Sequence, residues 1–362
     1  MGERQGTVEM LGIDPGFWSG RRVFLTGQTG FKGSWLALWL QKMGANVRGR
    51  ALPVASTPAL FDLLGLEATL AHYGDVADAA GVDEDMAGAE VVLHLAAQAL
   101  VRPSYDDPLG TFATNVMGTA AVLDAARRSD SVRAVVIVTS DKAYENREWD
   151  RGYREDDALG GHDPYSASKG AAEIVTASMR KSFFGPGGHP ARVASVRAGN
   201  VIGGGDWSAD RLVPDVVRGC LGESGQVGIR NPAAVRPWQH VLEPVAAYLG
   251  LAERLHAGEA LDEPFNFGPE EDGRPVSQVA DALIAALGGG RIESAPQAAQ
   301  PHEATLLRLD TTKARDRLGW APRLSFDETV AWTADWYRAH AAGADMRDFT
   351  ARQIDEFESR AR

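Results

Sequence analysis

The chain has 362 residues, 44% of them hydrophobic, which is enough to bury a large core in one large domain or two smaller ones. Its formal net charge of -12 excludes a phosphate-backbone binder, whose affinity rests on clustered Lys and Arg, so any anionic ligand must be caught locally. The single cysteine, Cys220, excludes an intrachain disulfide framework and a cysteine-held metal cluster and fits a reducing cytoplasm, while the absence of any apolar run of about 18 residues leaves no membrane-crossing helix to expect.

In chain order, residues 1–20 are mixed and acidic, without the apolar core of a signal peptide, and are expected to form a loosely packed leader. Arg22-Val23-Phe24-Leu25-Thr26 reads as a strand, broken by Gly27-Gln28-Thr29-Gly30-Phe31-Lys32-Gly33 and followed by apolar residues at helical spacing from Trp35 to Leu40. Gly27, Gly30 and Gly33 stand where a tight turn, a close backbone approach and a close helix contact each need a residue without a β-carbon. The helix that follows aims its free N–H groups and positive dipole end at the loop, which suits a pyrophosphate.

A second strand over 46–52 should end in an acid for the adenosine ribose of NAD, but none is present. Arg50 sits near that point; it reads either as a partner for the 2′-phosphate of NADP or as an exposed arginine at a strand end. Gly74-Asp75-Val76 is a loop in which Asp75 can accept a hydrogen bond from an adenine amino group. Val91 to Gln98 is a buried strand whose His94, flanked by apolar residues, reads as packed rather than catalytic.

Thr114 to Arg127 is expected to be helical, and Ala134-Val135-Val136-Ile137-Val138 is the continuous apolar strand of a parallel sheet buried on both faces. It runs into Thr139-Ser140-Asp141-Lys142-Ala143-Tyr144, polar side chains at a strand's carboxyl end, where open α/β sheets bind ligands. Then comes Asp163-Pro164-Tyr165-Ser166-Ala167-Ser168-Lys169, with Tyr165 and Lys169 one helical turn apart on the same face. A cation so placed favours the phenolate and lowers the Tyr pKa, which makes a proton shuttle.

After the strand Val193 to Arg197, a glycine-rich loop runs to Trp207 and the βα rhythm is lost until about Trp238, as where a chain enters a second, smaller domain. Arg211, Arg230 and Arg236 lie there and are candidates for a diphosphate clamp. Helices are expected over 241–255 and 276–287, a strand over 263–268 that rejoins the sheet, a strand and short helix near 308–320, and a charged helical segment from Phe326 onward. The fold class is therefore α/β, a Rossmann-type doubly wound parallel sheet with a smaller, mostly C-terminal substrate domain. Residues 21–198, rejoined by about 241–270, form the dinucleotide domain; 199–240 and 271–345 form the substrate domain, with a tail over 346–362.

Thr26 to Gly33, Leu95-Ala96-Ala97-Gln98 and Tyr165 to Lys169 together resemble the extended short-chain dehydrogenase/reductase family over roughly residues 20 to 340. Within it, Thr139 to Trp149, Gly199 to Trp207 and Arg236 to Val241 resemble the CDP-glucose branch of the nucleotide-sugar 4,6-dehydratases. The resemblance implies NAD as cofactor, a nucleotide sugar such as CDP-glucose as substrate, no metal, and a homodimer built on a four-helix bundle. It implies oxidation at C4, loss of water across C5 and C6, and return of the hydride to C6.

The same resemblance makes Tyr165, Lys169 and Ser140 the redox groups, Asp141 the acid, and Lys142 either the C5 base or an enolate stabiliser, because the dTDP-glucose relatives carry Asp and Glu at those two positions. Gly27, Thr29, Gly30, Phe31, Asp75, Val76, Ala96, Ala97 and Asn115 are carried over as the NAD site beside Tyr165 and Lys169. Arg102, Asn200, Arg211, Arg230, Arg236 and Gln239 are assigned to the substrate. A 4-epimerase on the same scaffold would share Tyr165 and Lys169 but have no use for Asp141 and Lys142; a non-catalytic NAD-binding sensor would need none of them.

Overall fold

The computed structural model describes residues 11–185, 187–222, 225–271, 273–293 and 305–360. Six parallel strands form the main sheet: β1 (Arg22–Thr26), β2 (Asn46–Arg50), β3 (Val91–His94), β4 (Ala134–Val138), β5 (Arg192–Ala198) and β6 (Pro264–Phe267), in the spatial order β6-β5-β4-β3-β1-β2. The principal helices are α1 (Phe31–Lys42), α2 (Gly118–Arg128), α3 (Pro164–Phe183), α4 (Leu212–Leu221), α5 (Leu242–His256), α6 (Val276–Leu287), α7 (Phe326–Ala341) and α8 (Met346–Ser359).

The period-two geometry of a strand sends alternate side chains to opposite faces, and the central strands obey it. Ala134, Val136 and Val138 of β4 join the core that contains Trp35, Leu38 and Val245, while Val135 and Ile137 join the one with Val122 and Ala126. Both faces are covered, so the strand has no polar position until it ends at Thr139. The strand over 263–268 does rejoin the sheet, as β6 paired in parallel with β5.

Past β5 the regular sheet gives way to two-stranded pairings: Asn200–Ile202 with Trp238–His240, Val235–Arg236 with Arg274–Pro275, and Gln226–Gly228 with Arg291–Glu293. Helix α6 packs between α4 and α7 over this region. These segments from both sides of α5 and β6 roof the carboxyl ends of β4 and β5.

Two terminal expectations are corrected. Residues 1–10 of the expected leader lie outside the described residues, but 11–20 do not pack loosely. Trp18 is fully buried, its indole N–H donates to Glu253 Oε1 at 2.5 Å, and the Asp14 amide donates to the same carboxylate at 3.0 Å. A large aromatic surface with one polar atom is most stable buried with that atom paired. At the other end, the charged segment breaks near Gly343, whose φ is +77°, and α8 returns to dock on α1. There Trp39 Nε1 donates to Glu358 at 2.6 Å, and Ile354 and Phe357 are buried. The second strand is also shorter than expected, ending at Arg50.

Candidate active site

The glycine loop joins β1 to α1 with Gly27 at φ +78°. A β-carbon on Gly27 would lie 2.7 Å from the Ala96 amide nitrogen, and one on Gly33 would lie 1.9 Å from the Gly27 carbonyl oxygen. The loop therefore closes against the end of β3 only because those positions are glycine. Thr26 Oγ1 fastens the two strand ends, accepting from the amides of Leu95 and Ala96 at 3.1 Å each. Gly30 caps α1 without a side-chain bond, so the helix's first N–H groups are open to an anion. This cradle fits a dinucleotide.

Around it, Thr29 donates to the Leu52 carbonyl at 2.9 Å, and Asp75 is exposed, with Oδ1 accepting from the Ala77 amide at 2.9 Å. Val76 is buried against Gly118, where a β-carbon would come within 2.7 Å of its Cγ2. Asn115 lies in a π-helical turn, Ala113–Met117, that interrupts the expected helix. Its amide is saturated by the Gln98 backbone at 2.8 and 3.0 Å and by Ser168 at 2.8 Å, so it clasps the β3 end to α3. His94 is buried between Thr26 and Thr119, and burial, with the charge of Lys169, pushes its pKa down to about 3, leaving it neutral.

Arg50 is not exposed. Its guanidinium turns away from the glycine loop to donate to Asp85 at 2.6 Å, Asp78 at 2.8 Å and the Asp75 carbonyl at 2.9 Å. It is neither a phosphate partner nor an exposed strand-end arginine, because the buried carboxylate of Asp85 draws it inward.

At the end of β4, Ser140 caps a short 3-10 turn, Asp141–Ala143, accepting from the Lys142 amide at 3.2 Å. Its hydroxyl donates to Asp141 Oδ1 at 2.9 Å, while Asp141 Oδ2 is buried with no hydrogen-bond partner among the described residues. Burial raises the Asp141 pKa above the usual carboxylate range despite Lys142, Ser140 and Arg236 nearby. Burial thus favours the neutral carboxyl, and its unpartnered, buried oxygen is placed as an acid's would be.

Tyr165 starts α3, where Asp163 caps the helix by accepting from the Ser166 amide at 2.9 Å. The expectation of a lowered Tyr165 pKa is corrected, because burial outweighs the nearby cation. Burial pushes the phenol up to about 12, with the Ser140 hydrogen bond opposing, and pushes Lys169 down to about 7, aided by the charge of Lys32. Both polar heads are buried in one place, and desolvation disfavours the charged form of each. Lys142 Nζ stands 6.0 Å from the centre of the Tyr165 ring.

Ser140, Asp141, Lys142 and Tyr165 line a cavity of about 280 Å³, together with Phe31, Lys32, Arg102, Asn200, Arg211, Arg230 and Arg236. Two aspartates hold three of the arginines at its wall: Asp206 pairs with Arg211 at 3.1 Å, and Asp210 with Arg102 at 3.3 Å and Arg230 at 2.9 Å. Arg236 is buried, with Nη1 donating to the Val235 carbonyl at 2.9 Å. Gln239 is not brought to this cavity; it is buried and its amide donates to the Phe267 carbonyl of β6 at 2.9 Å. Among the described residues no group of three His, Cys, Asp or Glu side chains is placed to hold a metal.

Sequence reading missed Glu173, which accepts from Ser195 Oγ at 2.7 Å and Arg197 at 3.0 Å beneath the site. Its place four residues after Lys169 was the available signal. Lys32 stands close enough to Arg211 and Asp141 to feel both charges, and burial lowers its pKa to about 8.

A glycine cradle for a dinucleotide, a buried Tyr and Lys one turn apart and an acid at the next strand end define a short-chain dehydrogenase/reductase site. The family model described as GDP-mannose 4,6 dehydratase matches residues 24–333, and the chain belongs to that family of extended short-chain dehydrogenases/reductases. It is 46% identical over 355 residues to a CDP-glucose 4,6-dehydratase of Salmonella typhimurium, covering 96% of this chain and 99% of that one. A dTDP-glucose 4,6-dehydratase of Streptomyces antibioticus is 33% identical over 74% of this chain and 76% of its own length. In fold, the chain resembles DesIV, a dTDP-glucose 4,6-dehydratase from Streptomyces venezuelae solved with NAD and TYD bound. The TM-score is 0.75 at 24% identity, over 90% of this chain and 99% of that one. A UDP-glucose 4-epimerase from Thermotoga maritima is similar at TM-score 0.76 and 22% identity, over 88% and 99%.

Proposed function

We propose that the protein is an NAD-dependent hydro-lyase that converts CDP-D-glucose to CDP-4-keto-6-deoxy-D-glucose and water. The observation that carries the reading is the Asp141 and Lys142 pair at the end of β4, facing the same cavity as Tyr165; an epimerase has no use for it. The near full-length likeness to the Salmonella CDP-glucose enzyme supports the choice of nucleotide. NAD, when held by the glycine cradle, would supply the hydride acceptor for C4, in its reduced form the donor for C6, and added positive charge.

The chain's own groups handle the protons. Tyr165 takes the proton of the 4-hydroxyl, and Ser140, which hydrogen-bonds the phenol, holds the 4-oxygen. Because burial keeps the phenol neutral in the chain alone, its ionisation belongs to the loaded site, where added positive charge favours the phenolate. Lys142 removes the C5 proton that the 4-keto group acidifies, and Asp141 protonates the departing 6-hydroxyl from its unpartnered oxygen. In this reading Arg102, Arg211, Arg230 and Arg236 hold the diphosphate, and Asn200, which lines the same cavity, contacts the substrate.

The working unit in this reading is a homodimer in the cytoplasm. Leu109, Met117 and Ile174 are 80%, 60% and 58% exposed on the segments 108–128 and 164–183, an apolar surface that a second copy would cover as a four-helix bundle.

Purified protein supplied with NAD is to be incubated with CDP-glucose, UDP-glucose and dTDP-glucose, reading the alkaline absorbance of the 4-keto-6-deoxy product. CDP-glucose is expected to give the fastest turnover. No chromophore from any of the three, with NAD bound, overturns the dehydratase reading.

A further inference from the structure

β2 ends in Arg50, directly beside Thr26 in the parallel register, and the Gly27 amide donates to the Arg50 carbonyl at 3.0 Å. A Rossmann sheet reads the adenosine ribose at this corner, with an acid for NAD or an arginine for the 2′-phosphate of NADP. The residue type alone favours NADP. Its conformation does the opposite.

The guanidinium is covered by the segment 72–85. Nη1 donates to Asp85 at 2.6 Å, Nη2 to Asp78 at 2.8 Å and Nε to the Asp75 carbonyl at 2.9 Å. Asp85 is buried and is also contacted by Arg48 and His72, each at 2.7 Å, so its carboxylate is held from three sides. Two glycines let the segment close: a β-carbon on Gly74 would lie 2.5 Å from Arg50 Cζ, and one on Gly81 would lie 2.3 Å from Nη2. Asp78 stays 55% exposed, and Asp75 is exposed beside it. The surface at the ribose corner is thus carboxylate, with the cation folded underneath.

We infer that Asp78 and Asp85 set cofactor selectivity by holding Arg50 away from the 2′ position of a bound dinucleotide, so that the chain takes NAD and rejects NADP. The cage replaces the acid missing from β2. A 2′-phosphate would meet exposed carboxylates and could reach the guanidinium only by breaking the ion pair between two buried side chains, leaving the buried Asp85 to the more exposed Arg48 and His72. The inference rests on the dinucleotide-binding reading of the glycine loop.

The test measures binding rather than turnover. NAD and NADP are titrated into the purified protein by calorimetry, and the ratio of their dissociation constants is compared among wild type, Asp78→Asn, Asp78→Asn with Asp85→Asn, and that pair combined with Arg50→Ala. Wild type should favour NAD by at least about tenfold, the difference one good charged contact makes. Asp78→Asn should narrow the ratio several-fold, and the double variant by about tenfold or more. Adding Arg50→Ala should erase the gain, because the phosphate's new partner is then gone. Thermal unfolding checks that each variant is folded; should the Asp85 change prevent folding, exposed Asp78→Asn decides alone against Asp78→Asn with Arg50→Ala. A ratio unmoved in folded Asp78→Asn, or wild type binding both dinucleotides equally, overturns the inference. Wild type binding neither overturns the dinucleotide reading itself.

Discussion

Glu173 and Arg197 form an ion pair at 3.0 Å with side chains only 3% and 2% exposed, joining α3 to β5 directly beneath the catalytic strand end. Glu173 also accepts from Thr139, the residue before Ser140, and lies one turn beyond Lys169. Arg197 in turn lies 4.7 Å from the centre of the Tyr144 ring, whose hydroxyl donates to Asn266 of β6 at 2.7 Å. The pair therefore sets the spacing between the helix that carries Tyr165 and the strand that carries Asp141. Glu173→Gln leaves the guanidinium buried without its counter-charge and is expected to lower stability by about 3 kcal/mol or more in urea unfolding. An unfolding midpoint equal to wild type would show the pair to be dispensable.

The same substitution carries a pH signature. Glu173 opposes the burial and the Lys32 charge that bring Lys169 down to about 7. Loss of its negative charge lowers Lys169 further, so the ammonium that favours the phenolate is lost at lower pH. The alkaline limb of kcat/KM should move toward acid in Glu173→Gln, and a profile superimposable on wild type would contradict this.

Burial raises the Asp141 pKa, which makes its ionisation a cost to the folded state. A carboxyl whose folded pKa is raised destabilises the protein above the unfolded value of about 3.9, and that cost grows until the pH passes the folded pKa. Asp141→Asn removes it. The variant should lose dehydration, melt higher than wild type at neutral pH, and lose this advantage below about pH 4. A lower melting temperature at neutral pH would mean that Asp141 is ionised and stabilising.

Lys142→Ala should separate the two halves of the reaction. In the proposed mechanism C4 oxidation depends on Tyr165, Lys169 and Ser140, so reduced cofactor should accumulate and be visible by absorbance in stopped flow, while release of product falls by about a hundredfold or more, as for loss of a general base. Unchanged turnover would remove Lys142 from the mechanism.

Ile174→Arg with Met117→Arg places cations on the exposed apolar face of α3 and of the π-helical turn. Charges that must be desolvated disfavour such an interface. Sedimentation should show dimer for wild type and monomer for the variant, with the thermal midpoint of the isolated chain little altered; dimer in both would place the interface elsewhere.

The sheet and the residues gathered at its carboxyl edge were legible in the linear chain because their signals are local. A glycine loop between a strand and a helix, a continuous apolar pentapeptide in β4, and Tyr165 one turn from Lys169 each need only a few neighbouring residues to be understood. The smaller region was legible only as a loss of rhythm, since its two-residue and three-residue strands are stabilised by partners far along the chain, as Val235–Arg236 is by Arg274–Pro275. The docking of Trp18 on Glu253 and of Phe357 near Trp39 was not legible, because each depends on a surface assembled from distant segments.

What the amino-acid sequence determined by itself was the set of chemical groups and the order in which the sheet delivers them to one edge. Tertiary structure alone decided their charge states and directions. Burial, a property of the whole fold, keeps Tyr165 neutral and brings Lys169 down to about 7, the reverse of what a tyrosine and lysine one turn apart in water would do to each other. It likewise turned Arg50 from a partner for phosphate into the centre of an aspartate cage, because Asp78 and Asp85, some thirty residues onward, reach it before any ligand does.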